Sequence, residues 1–434
     1  MSDREYHDLM WNGIAYAVMA GASLVTLVGL YLVVPALRRR LLPLSRLRPG
    51  AWNGRDVVSA FVIFFCVPLL IVLLLFPMGF FVPLIGPAPG LDPPDTPALN
   101  LYLERASVIS GPLILTAVLA CLFAVLYIRS GTRPHHYGLS WSRWPANVAL
   151  GLLAFVLATP LVLGIYALAT SVYDSNLHKL TILGQHHPEW WEWALIGFQA
   201  VVAAPLLEEI LVRGILQGWL RRATLSGHLG ILSFTILLPG WAFASYLAEE
   251  RQAGFEYGKL TPILFALLLA TIYGWWMYRL TRRFALNELE IQLWQPLAGE
   301  PTLDPASEEE RTKRHRQTRE WDEQRRQQWA DANATLAIFG SAMLFGLMHY
   351  VNWPAPIPLF GMGLVLGWLA SRTQSLIGPI TFHALFNLLN FIFLYGSVLT
   401  APPQNGNALT TPVRPSVVGS MTTSVPASLL PLRK

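Results

Sequence analysis

The chain has 434 residues, of which 53% are hydrophobic and only 13% charged. Soluble domains carry about 25% charge, so the main class is not a water-soluble globule, a disordered chain, a coiled coil or a secreted disulfide scaffold. The net charge is +5, from 31 Lys and Arg against 26 Asp and Glu. The basic residues sit at the ends of apolar runs, as membrane orientation requires, so the charge calls for no nucleic-acid partner.

A bilayer core of about 30 Å needs roughly 20 apolar residues per helix. Ten candidate spans follow in order, near 14–37, 57–82, 107–128, 146–172, 193–220, 229–247, 260–280, 334–350, 357–371 and 376–397. The expected fold is therefore all-α, a polytopic transmembrane helical bundle of about ten spans. The eighth and ninth are short, and are read as tilted, broken or partly re-entrant. Acidic residues Asp3, Glu5 and Asp8 beside Arg4 make a poor signal-peptide start, so the first run is expected to stay as a span. Cys66 and Cys121 each lie inside an apolar run, with no disulfide framework or CxxC spacing, and are read as inert buried packing residues.

Arginines cluster after spans one (Arg38 to Arg55), three (Arg129, Arg133, Arg143), five (Arg221, Arg222), seven (Arg279, Arg282, Arg283) and nine (Arg372). The alternate loops are poor in them, so these loops are expected in the cytoplasm and both termini outside. Residues 1–145 read as an N-terminal region of three spans. Residues 146–397 read as the core, with 223–333 inserted as two spans plus a charged cytoplasmic segment. That segment has a Gln/Arg/Glu-rich run from Glu308 to Asp331, opened by the capping-box pair Ser307 and Glu310, and is expected to be helical. Residues 398–434 read as a disordered tail. Trp190, Trp191 and Trp193 mark an interfacial belt, and Gly363 and Gly367 a close helix contact.

Ionisable groups inside spans are costly and are functional candidates by default. Within the apolar runs the acids are Glu208 and Glu209, the histidines His349 and His383, and the arginine Arg213. Glu209 and Arg213 are four residues apart and can pair on one helix face. Glu208 is rotated from Glu209 by about 100° and can address a different neighbour. Pro205 upstream can kink the helix and free carbonyls. His383 and Asn387, like Phe345 and His349, are also four apart. A carboxylate beside an imidazole can hold and deprotonate water. A second His with an Asn amide can stabilise an oxyanion. No nucleophilic Ser or Cys accompanies them, so direct attack of water on an amide carbonyl is the expected chemistry.

In order, the chain thus presents Glu-Glu-xxx-Arg (Glu208, Glu209, Arg213), Phe-xxx-His (Phe345, His349) and His-xxx-Asn (His383, Asn387). This resembles the CPBP family of intramembrane glutamic proteases, the Abi or CAAX prenyl protease type. The resemblance implies an endopeptidase acting on a membrane-associated protein or peptide. Glu208 would activate water with His349, His383 and Asn387 would stabilise the oxyanion, and Glu209, Arg213 and Phe345 would orient the site. It implies no cofactor, and a multi-pass protein of a cell membrane, the bacterial plasma membrane. The insertion between the first and second motifs departs from the family pattern.

Other readings compete. Glu209 with Arg213 is by itself a structural salt bridge, Asn387 a helix–helix hydrogen bond, and Phe345 ordinary core. Glu208, His349 and His383 could instead ligate zinc with an open water position. A non-enzymatic reading is a transporter with a buried proton relay, or an inactive membrane scaffold.

Overall fold

A computed structural model of the protein describes residues 52–76, 78–85, 96–141, 143–173, 189–223, 225–250, 260–294 and 333–400. All regular structure among them is helical. The nine principal helices are α1 (Gly54–Leu75), α2 (Thr96–Ser130), α3 (Trp144–Val172), α4 (Trp190–Leu220), α5 (Leu225–Glu250), α6 (Thr261–Trp294), α7 (Asn333–Leu347), α8 (Pro356–Thr373) and α9 (Ile377–Thr400). The expected first span at 14–37, the charged run Glu308–Asp331 and the tail beyond Thr400 lie outside the described residues.

Six of these helices, α1, α2, α3, α4, α6 and α9, contain stretches long and apolar enough to cross a membrane. The protein is a multi-pass membrane protein. The apolar stretches Leu225–Leu237 and Asn333–Leu347 each fall short of 18 residues. Helix α6 runs on from its apolar part to Trp294, so the polar segment begins as a continuation of that helix.

Asn53 starts α1 as a capping box. Its side chain accepts from the Arg55 backbone N–H at 2.8 Å, and the Asp56 carboxylate accepts from the Asn53 N–H at 2.9 Å. Asp56 also takes Arg129 Nε at 2.8 Å, which ties the start of α1 to the end of α2. The outer face of α1 exposes Val58, Val62, Phe65, Leu69 and Leu73. In a bilayer such a face needs no protein partner, because lipid tails are as apolar as leucine. The same reason corrects the cysteine expectation: Cys66 and Cys121 are exposed on α1 and α2 rather than packed inside.

Helix α3 packs along α9 and α8, and α4 runs beside α9. Gly151 makes the first crossing possible, since a Cβ there would meet the Gly378 carbonyl at 2.6 Å. The Gly363 and Gly367 contact also holds: a Cβ on Gly363 would sit 3.0 Å from Ala342 of α7. A second core joins α6 to α7, centred on Tyr273 and Phe339, with α5 packed against it. Tyr273 and His228 of α5 share a buried hydrogen bond of 2.5 Å.

One end of the bundle gathers the chain before α1, the turn Pro134–Tyr137, the α4–α5 loop and the α8–α9 turn. There Leu376 N–H donates to Gly138 O at 3.0 Å, and Asn333 Nδ2 donates to Leu220 O at 2.7 Å. This is the end whose arginines are expected from the sequence to face the cytoplasm. The opposite end holds the bidentate Arg105–Glu192 pair, at 2.7 and 2.9 Å, and the Trp193–Tyr395 ring contact.

Candidate active site

Helix α4 supplies both acids, and it is not a uniform α-helix. Gln199–Ala203 and Glu209–Gln217 are wound as π-helix, separated by the α-helical turn Ala204–Glu208. Such π segments are rare and concentrate at functional sites. Pro205 accounts for part of this. It has no N–H to donate, and in an i→i−5 register its missing bond belongs to the carbonyl of Ala200. Asn387 Nδ2 of α9 donates to that carbonyl at 2.8 Å. The second π segment also gives a carbonyl to another element: Trp52 Nε1 donates to Ile215 O at 2.9 Å.

The π winding begins at Glu209, so the two neighbouring acids meet different surroundings. Glu209 is fully buried. Its Oε1 lies 3.1 Å from Arg213 Nη1 and 3.0 Å from His383 Nδ1. Glu208 keeps 16% of its side chain exposed. Its Oε2 is buried with no hydrogen-bond partner among the described residues, and lies 3.9 Å from His383 Nε2. One imidazole thus faces both carboxylates, with Nδ1 on the buried acid and Nε2 toward the accessible one. A carboxylate can only accept, so Nδ1 carries the proton of the Glu209 bond.

Phe345, buried on α7, organises the rest. The Arg213 guanidinium carbon lies 4.2 Å from its ring centre. Its ring makes edge contacts with both imidazoles, at 5.7 Å to His383 and 5.3 Å to His349. His349 lies just past the end of α7, in the turn before Tyr350–Asn352. Its ring folds back one turn, and Nδ1 donates to the Phe345 carbonyl at 2.9 Å. Helical side chains lean toward the N-terminus, which brings this outermost histidine back toward the other motif residues. In a neutral ring with this bond, Nε2 is the accepting nitrogen.

Glu208, Glu209, Arg213, Phe345, His349 and His383 therefore form one chain of contacts, and Asn387 joins it through the α4 backbone. Among the described residues no group of three or more His, Cys, Asp or Glu side chains is gathered as a metal would need, and Glu208, His349 and His383 do not form such a set. Two supporting residues escape a search restricted to ionisable groups. Gln217 donates to the Gly367 carbonyl at 2.8 Å and accepts from Ser341 at 3.1 Å, joining α4, α8 and α7. Gln217 is four residues beyond Arg213 inside an apolar span, and that spacing is the signal that could have found it.

Residues 190–287 and 317–389 match the family model "Type II CAAX prenyl endopeptidase Rce1-like". These segments of the membrane core are similar to the Rce1-like CAAX endopeptidases. The match takes in all three motifs and less than half of the chain, and its interruption falls within the charged segment. No curated protein and no solved structure matches the chain. Members of the Rce1-like family are proteases, and the α4, α7 and α9 residues described above all lie within the matched segments.

Proposed function

We propose that the protein is an intramembrane endopeptidase that hydrolyses a peptide bond of a membrane-associated protein or peptide, with Glu208 as the base that activates water. The observation that carries this reading is the unpartnered Glu208 Oε2, 3.9 Å from His383 Nε2. A buried carboxylate oxygen without a donor is costly, and a water held there satisfies it while being aligned for deprotonation. Glu208 takes one proton, and the hydroxide adds to the scissile carbonyl carbon. His349, with Nδ1 committed to the Phe345 carbonyl, offers Nε2 as a second acceptor that orients the water.

The carbonyl oxygen then becomes an oxyanion. Asn387 has one amide hydrogen on Ala200 O and a second to donate. His383 donates through Nε2 only as imidazolium, and Glu209 provides the counter-charge for that form. As the C–N bond breaks, the proton held by Glu208 passes to the leaving amine. The compartment proposed is a cell membrane, the bacterial plasma membrane by resemblance. The substrate class proposed is a prenylated C-terminal tail, a peptide leader or a membrane anchor.

The test uses the purified full chain in nanodiscs with a quenched-fluorescent farnesylated peptide ending in a CAAX sequence, beside the same peptide without the lipid. Glu208→Gln should abolish cleavage while leaving the thermal midpoint unchanged. Cleavage by this variant at the unaltered rate removes Glu208 as the base. Cleavage of the peptide without its lipid at an equal rate removes prenyl recognition.

A further inference from the structure

At the end of the bundle where α4 runs into Arg221 and Arg222, a small cavity of about 50 Å³ lies beside Arg213. Arg213, Gln217, Arg221 and Arg222 of α4 and its following loop line it, with Trp52 and Ser371 opposite. No Asp or Glu is among its lining residues. Arg213 and Arg221 are each only 3% exposed. Arg213 Nε and Nη2, and both terminal nitrogens of Arg222, are buried without a hydrogen-bond acceptor among the described residues. The Arg222 guanidinium rests on the Trp52 ring at 4.0 Å, which covers its face and leaves its edges to donate. Burial first, and then Arg221 beside it, pull Arg222 down to about 10 from its ordinary value.

Buried charges are ordinarily paired. Here the guanidinium groups of Arg213 and Arg222 line one cavity that no carboxylate lines, and Glu209 is the carboxylate beside Arg213. Guanidinium forks match the oxygens of phosphate groups, and the cavity has room for one such group but not for a nucleotide. We propose that this cavity is a phosphate-binding site, distinct from the hydrolytic centre, that takes one phosphate group from an anionic lipid headgroup or from free phosphate. Its placement at an end of the helical bundle gives access to both sources. Because Arg213 forms its inner wall and also holds Glu209 at 3.1 Å, occupancy changes the charge felt by the buried acid. The site is thereby linked to the centre through a single side chain.

The test reads binding, not proteolysis, so it stands or falls apart from the proposed reaction. The full chain in dodecyl maltoside is titrated with inorganic phosphate against chloride at equal ionic strength. In a second arm it is titrated with phosphatidylglycerol against diacylglycerol, which has the same tails and no phosphate. Thermal unfolding followed by tryptophan fluorescence should show a midpoint raised by phosphate in one or both arms. The responding arm identifies the source. Arg222→Gln should weaken the apparent affinity about tenfold or more, as loss of a charge-assisted fork does. No response of the unaltered protein in either arm overturns the site, as does an Arg222→Gln response equal to it. Should Arg222→Gln fail to fold, Ser371→Asp supplies an internal carboxylate. Loss of the phosphate response in a folded Ser371→Asp protein supports the site, and an undiminished response overturns it.

Discussion

His383 Nδ1 lies 3.0 Å from Glu209 Oε1, across the interface of α9 with α4, and the two residues are both almost wholly buried. This bond sets the orientation of the imidazole and turns its Nε2 toward Glu208. The second acid of the Glu-Glu pair therefore holds the histidine that the first acid faces. Adjacent glutamates have separate surroundings because the helix changes winding between them.

Removing Glu209 should unfold, and removing Glu208 should not. Glu209→Ala strips the partner from a buried Arg213 and from His383, and breaking a buried charge pair in this way costs about 3–5 kcal/mol. Glu208 Oε2 has no hydrogen-bond partner among the described residues to orphan. Chemical denaturation of the two variants side by side in the same detergent should separate them by several kcal/mol. Equal stabilities would show that Glu209 is not the structural member.

Asn387 is tied to a carbonyl that Pro205 leaves without its own chain's N–H. Asn387→Ala should lower the cleavage rate about 10²–10³-fold if its second hydrogen stabilises the oxyanion, and should destabilise α4 as well. Adding Pro205→Ala restores a backbone donor. The double variant should recover stability without recovering activity. Recovery of both assigns Asn387 a purely structural role.

Gly151→Ala should weaken the protein by about 1–3 kcal/mol, as overpacking does. The added Cβ would meet the Gly378 carbonyl at 2.6 Å, a backbone atom that cannot rotate aside. Because α9 carries His383 and Asn387, its displacement from α3 should reduce activity as well as stability. A folded Gly151→Ala protein with an unchanged midpoint would mean that the two helices separate freely.

Metal dependence separates the two hydrolytic readings. Water activated by Glu208 predicts that cleavage persists after treatment with 1,10-phenanthroline and dialysis. If activity disappears and returns on adding zinc, the glutamate mechanism fails.

The class of protein and its sparse polar set were legible in the sequence, because apolar runs and the cost of placing charges among them are local properties of composition. The spacing of Glu209 and Arg213, or of Phe345 and His349, also fixes which side chains share a turn, and the structure shows both pairs in contact. The orientation of apolar residues was a different matter. In a bilayer an apolar side chain is equally at home against lipid or protein, so the runs around Cys66 and Cys121 could not say that both thiols face outward.

Tertiary structure alone decided the winding of α4. A π segment exposes carbonyls that a lone helix in lipid cannot leave unpaired, and the donors come from Asn387 and Trp52, 187 and 163 residues away along the chain. It also decided that Arg213, Arg221 and Arg222 line one cavity with Trp52 and Ser371. The loops that close that cavity are brought together by the packing of the helices between them, and no local pattern records their meeting.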